Sequence, residues 1–222
     1  LEFRRVLFRS DVAAQARVMQ AVRRHCPAVA KRVILSQRCY VMPTLHPLED
    51  WTWDLAADTL KPVWGLHEPD VMPTNETFHR AYLEYALYEM DSPLRPYLPY
   101  HAMDHYEAAR EMTHGDATME NLMQTATGGL RFIDWQPFRR AFVPAHRDAD
   151  YGKIMQTLMG WNEGRKVDET SVRELLSVSP LAWFWCGLTF ERIRKRSNDA
   201  RLRVWCRDRV RDCIDARHWS VQ

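Results

Sequence analysis

Asp116, Asn121 and Asp134 are the residues whose types and spacing could do chemistry. Asp116 closes His114-Gly115-Asp116, Asn121 follows five positions later, and Asp134 stands thirteen beyond that in Phe132-Ile133-Asp134-Trp135. Each sits at the end of a short apolar run, and Thr125-Ala126-Thr127-Gly128-Gly129 divides the set like a hairpin turn. Two carboxylates and one carboxamide are what phosphoryl transfer to a hydroxyl requires. One carboxylate orients the attacking hydroxyl and accepts its proton, while the second and the amide oxygen hold the magnesium that neutralises the phosphates. A plainer reading makes this a helix-to-strand loop in which Asp116 caps a helix and Asn121 sits in a turn. That reading leaves the spacing of the whole set unexplained.

An Asp–Asn interval of five, followed by a strand pair carrying a second Asp, resembles the kinase catalytic-loop signature. With His-Gly-Asp in place of His-Arg-Asp, and Ile-Asp-Trp in place of Asp-Phe-Gly, the stretch resembles the aminoglycoside phosphotransferase and choline kinase-like superfamily. The likeness runs from about Arg38 to Trp161 and more loosely to the C-terminus. It implies an α+β, protein kinase-like fold with a mainly helical C-terminal lobe and an incomplete N-terminal lobe. It implies ATP- and magnesium-dependent phosphorylation of a hydroxyl on a small molecule. Asp116 would be the catalytic base, and Asn121 and Asp134 the Mg2+ ligands. Tyr40 to Leu45 would match the strand and hinge that meet the adenine, making Met42 and Thr44 the ATP-binding positions; an ordinary edge hairpin has the same sequence. His114 is expected to brace the loop by hydrogen-bonding backbone. In the family's pattern an Asp at the start of the next helix bonds back to the loop. Asp150 is that residue here, with Asp148 as the alternative helix cap.

The elements that must position these residues follow from pattern and punctuation. Residues 1–10 (LEFRRVLFRS) read as a leader or junction, 11–45 as a remnant of the N-terminal lobe and hinge, and 46–222 as the helical lobe. Asp11 to about His25 has helical spacing (Val12, Ala16, Met19, Val22) and ends at Pro27. Residues 31–45 read as two short strands with a turn at Ser36-Gln37. A short helix is expected within Leu48–Leu60, a loop over Pro62–Pro73, and a helix from Thr74 or Asn75 to about Met90. Pro93, Pro96 and Pro99 break the chain before a second helix, about Tyr100 to Thr113. A further helix should start near Asp148 or Asp150, one at Thr170 or Ser171, one at Ser179-Pro180, and one should span about Asp199 to His218.

The family's Gly-rich phosphate cover and strand lysine would lie upstream of the first helix. No glycine precedes Gly65, Lys31 follows the helix, and no acidic residue lies between Asp11 and Glu49 to pair with such a lysine. The expectation is a chain truncated at its N-terminus and not fully active by itself. The alternative function is a catalytically incompetent kinase-like fragment that binds nucleotide or ligand.

Composition narrows the classes. Hydrophobic residues make 46% and charged residues 27%, ordinary for a globular protein. No apolar run reaches membrane-spanning length and no signal-peptide pattern occurs, so a membrane partner is not expected. Five cysteines without metal-site spacing read as buried thiols in a reducing compartment, which points to the cytoplasm. The net charge of +2 is uneven, because residues 49–120 hold fifteen acidic and four basic side chains. That middle could draw a cationic substrate, or its charges could be solvated helix faces. His101 and His105 are spaced like a zinc pair but lack the Glu after the first His, so they read as ordinary histidines. The arginines of the last helix alternate with Asp208, Asp212 and Asp215 at pairing distance. That favours intrahelical ion pairs over nucleic-acid binding.

Overall fold

The computed structural model describes residues 20, 23, 33–36, 39–41, 44–66, 91–102, 111–135, 146–161 and 167–221. The described chain is α+β and mainly helical, with two small antiparallel sheets. Strands β1 (Val33–Ser36) and β2 (Cys39–Val41) form the hairpin expected there, with a register shift between Ile34 and Ser36. Strands β3 (His46–Pro47), β4 (Leu122–Gln124) and β5 (Leu130–Phe132) form the second sheet, in that order. The β4–β5 turn lies where the Gly-Gly pair suggests, with Thr125 N–H donating to the Gly129 carbonyl at 2.8 Å and Gly128 N–H to the Thr125 carbonyl at 2.9 Å.

Helix α1 (Trp53–Trp64) starts at Thr52, whose side chain accepts from Leu55 N–H. It buries Ala56, Ala57, Leu60, Val63 and Trp64, one stripe at helical spacing. The helix runs through Pro62, where a loop is expected from the sequence. Proline removes a single N–H near the helix end, and burial of Val63 and Trp64 beyond it offsets that loss. The expected helices over 11–25 and 74–90 lie outside the described residues, apart from Gln20 and Arg23, both helical. Of the helix expected over about Tyr100 to Thr113, residues 100–102 are helical and 103–110 lie outside the described residues, while Met112 is not helical and its N–H donates to the Leu66 carbonyl at 2.9 Å.

Helix α2 (Arg147–Leu158) is the buried centre of the fold. Its cap is His146, whose ring accepts from Asp148 N–H, rather than Asp148 itself. Asp148 instead accepts from the Ser179 hydroxyl at 2.7 Å. Helix α3 (Glu169–Val178) is capped by Asp168, which accepts from both the amide and the hydroxyl of Ser171. Asp168 holds the cap expected of Thr170 or Ser171 because its carboxylate reaches two donors three residues ahead. Ser179 closes α3, and Pro180 lies in the turn before α4 (Ala182–Arg196). Helix α5 (Ala200–Ala216) is capped by Asp199 and turns inward Cys206, Val210, Cys213 and Ala216. Arg209–Asp212 and Arg211–Asp208 ion pairs line its outer side. Among the described residues no helix is long and apolar enough to cross a membrane.

Helices α2, α4 and α5 share the main core. Met159 Sδ lies 3.7 Å from Cys186 Sγ and 3.5 Å from Cys213 Sγ, and burial raises the Cys213 thiol well above its ordinary pKa. Cys186, Cys206 and Cys213 are free and buried. Among the described glycines the tightest surroundings are at Gly152 of α2, where a β-carbon would stand 2.6 Å from the Trp185 β-carbon and 2.8 Å from the Cys186 amide nitrogen. Neither atom is the far end of a flexible side chain, so α2 and α4 must separate to admit one. Gly152→Ala is therefore expected to lower the unfolding free energy by about 1–3 kcal/mol in urea titrations, despite alanine's better helix propensity. An unchanged midpoint would show that the two helices part freely.

Candidate functional site

A buried carboxylate positions the loop that carries Asp116. Asp150, fully buried on α2, accepts from His114 N–H at 2.8 Å, Gly115 N–H at 2.9 Å and the Trp64 indole at 2.9 Å. Gly115 has φ +77°, which lets consecutive amides turn toward one anion. Burial raises the Asp150 carboxyl to about 6, against the opposing pull of its three N–H donors. This is the residue expected to bond back to the loop.

Two further side chains of α2 reach the same loop. Lys153 Nζ stands 2.9 Å from Asp116 Oδ1, and Thr157 Oγ accepts from Met119 N–H at 3.2 Å. Positions 150, 153 and 157 form one helical stripe, so a single rigid element holds loop residues 114 to 119. Sequence reasoning missed Lys153, Thr157 and Trp64. The stripe was there to be counted forward from Asp150, but Trp64 lay in a segment read as loop.

His114 is buried between Phe132 and Trp135, with ring centroids 4.9 Å and 4.4 Å away. Its Nδ1 accepts from Asp116 N–H at 3.2 Å, so Nε2 carries the proton and donates to the Ile133 carbonyl at 2.8 Å. The histidine thus braces backbone on both sides and ties the loop to the segment bearing Asp134. The Asn121 carbonyl makes a second tie, accepting from Ile133 N–H at 2.9 Å.

Asn121 donates Nδ2 to the Asp116 carbonyl at 2.8 Å, which also receives Thr118 N–H. That bond engages the amide nitrogen, so it is the amide oxygen of Asn121 that could serve as a cation ligand. Asp134 has φ +55°, left-handed for a non-glycine residue. The Trp135 indole closes that turn by donating to the Phe132 carbonyl at 2.8 Å. Asp116, Asn121 and Asp134 are all partly exposed, whereas His114, Ala117, Thr118 and Met119 are buried. Asp116 and Asn121 are thus joined directly, and Ile133 links them to the segment that carries Asp134.

Among the described residues, no group of three His, Cys, Asp or Glu could hold a metal. Magnesium needs less, since it keeps several waters and takes one or two carboxylates. An amide oxygen at 121 and a carboxylate at 134 fit that ion. Thr44 is exposed, two residues before the His46↔Gln124 pair that joins β3 to the strand following Asn121. Met42 lies outside the described residues.

Asp150 offers a test by pH. Its folded pKa exceeds the ordinary 3.8, so its contribution to stability is full below that value and lost as pH rises through about 6. Asp150→Asn cannot ionise. The unfolding free energy of the wild type, less that of the variant, should therefore fall by up to about 3 kcal/mol between pH 4 and 7. Parallel profiles would mean that the three N–H donors hold the anion at no net cost.

No protein-family model, curated protein or solved structure matches this chain.

Proposed function

We propose that this protein is a small-molecule kinase, transferring a phosphoryl group from ATP to a hydroxyl, on a kinase-like helical lobe. One observation carries the proposal. The loop bearing Asp116 is clamped by α2, and Asn121 and Ile133 tie it to the segment that carries Asp134, so all three residues stand on one braced stretch of backbone.

In this reading Asp116 orients the acceptor hydroxyl and takes its proton as the new O–P bond forms. The Asn121 amide oxygen and the Asp134 carboxylate hold magnesium. That ion, when bound, neutralises charge on the phosphates. The Lys153 pair keeps the Asp116 carboxylate in one orientation, and His114 fixes the amide of the same residue. Thr44, with Met42 two residues earlier in sequence, would meet the nucleotide base, because β3 runs along the strand that leaves Asn121. An amino sugar or amino alcohol suits the acidic balance of residues 49–120, the stretch that holds Asp116.

Asp116→Asn should lower kcat for magnesium-dependent ATP consumption with a responsive acceptor by about 10²–10⁴-fold, leaving the fold intact. Equal turnover by variant and wild type would remove Asp116 as the base. Asp134→Asn tolerates the left-handed backbone, so it separates metal binding from strain. It should raise the magnesium concentration needed for nucleotide binding by about tenfold or more, measured by calorimetry across a magnesium series. An unchanged requirement would place the metal elsewhere.

A further inference from the structure

On the phosphotransferase reading, we propose that Lys153 is a phosphate-binding residue, whose ammonium contacts the transferred phosphoryl group while it holds Asp116. The donor count of that ammonium carries the inference. An ammonium has three N–H donors. Asp116 Oδ1 at 2.9 Å and Gln156 Oε1 at 3.2 Å take two. Among the described residues nothing accepts the third.

The ammonium is well placed to use it. The Lys153 side chain is 16% exposed and Asp116 27%, so the pair lies at the edge of solvent with water mostly excluded. Gln156 is buried and fixes the lysine from behind. Asp150, one helical turn earlier, bonds the loop itself, so Lys153 and Asp116 keep their separation.

Geometry then sets what that N–H meets. A hydroxyl that gives its proton to Asp116 lies about 2.6–3.2 Å from the carboxylate. The phosphorus that it attacks lies about 3–3.5 Å further on. A cation one hydrogen bond from the same carboxylate is thus within reach of the oxygens on that phosphorus, where negative charge concentrates. The hydroxyl proton passes to Asp116, the new O–P bond forms, and the bond from the phosphorus to the bridging oxygen breaks with ADP leaving. Lys153 stays protonated and supplies charge alone. A purely structural lysine would orient Asp116 and leave nucleotide affinity indifferent to the third phosphate.

Calorimetry of the 222-residue chain with MgATP and with MgADP separates these roles without reading turnover. Lys153→Gln should weaken ATP about ten- to hundredfold more than ADP, and Lys153→Arg should recover most of the difference. Equal weakening of both nucleotides, or of neither, would overturn the assignment and leave the phosphotransferase reading standing. A wild-type chain that binds neither nucleotide would remove that reading and this inference with it. Should Lys153→Gln fail to fold, the wild type decides. Acetylation of Lys153 by an N-hydroxysuccinimide ester, followed by peptide mass analysis, should slow more in MgATP than in MgADP. Equal protection by the two would overturn the proposal.

Discussion

Everything at this site hangs on one buried carboxylate accepting two consecutive backbone amides. Asp150 is fully buried, and a carboxyl there persists only if the structure around it supplies donors. The donors are His114 N–H, Gly115 N–H and the Trp64 indole, so α1, α2 and the loop meet at a single side chain. The loop has no regular secondary structure between Met112 and Thr118. Its backbone groups need partners from elsewhere, and α2 supplies them at 150 and 157. Irregular backbone is thereby held as firmly as a helix. Chemistry that depends on sub-ångström placement needs that firmness.

The same constraint explains the crowding on the opposite side of α2. A helix that presents Asp150, Lys153 and Thr157 to the loop must be fixed from behind, or the loop would move with it. Gly152 gives α4 an approach that no other residue type would permit, and the Met159, Cys186 and Cys213 sulfurs fill the junction with α5. Soft, polarisable side chains suit such an irregular three-helix contact. Three tryptophans share in this packing: Trp185 is buried in α4, and Trp64 and Trp135 each spend their indole N–H on a site-forming acceptor.

Much of this was legible beforehand, and what was not has physical causes. The hairpin around Gly128, the strand pair at 33–41 and the span of α5 follow from local chemistry, which a sequence states directly. Asp150 was reachable through resemblance to a known pattern. Helix caps were misplaced at α2 and α3 because several side chains near each start could accept an amide, and tertiary contacts chose among them. Asp148, for one, serves the Ser179 hydroxyl. Strand β3 escaped notice because two residues carry no periodicity; only its pairing with β4 defines it. Lys153 escaped because a lone lysine on a helix defaults to solvent. Its place here depends on a loop thirty-seven positions earlier.

Commitment of atoms separates the residues that build this site from those left to act in it. His114 uses Nδ1 to accept and Nε2 to donate, and two aromatic rings enclose it. It has no ring nitrogen left for a substrate, and a second proton at Nδ1 would confront the Asp116 N–H. Asp150 likewise has both oxygens occupied. Asp116 differs: its amide and carbonyl are engaged by His114, Thr118 and Asn121, while its partly exposed carboxylate meets the Lys153 ammonium. A backbone fixed on both sides with a side chain held by one ion pair is consistent with the base proposed for Asp116. The loop is rigid up to the last rotatable bonds, and it is at those bonds that a substrate would meet it.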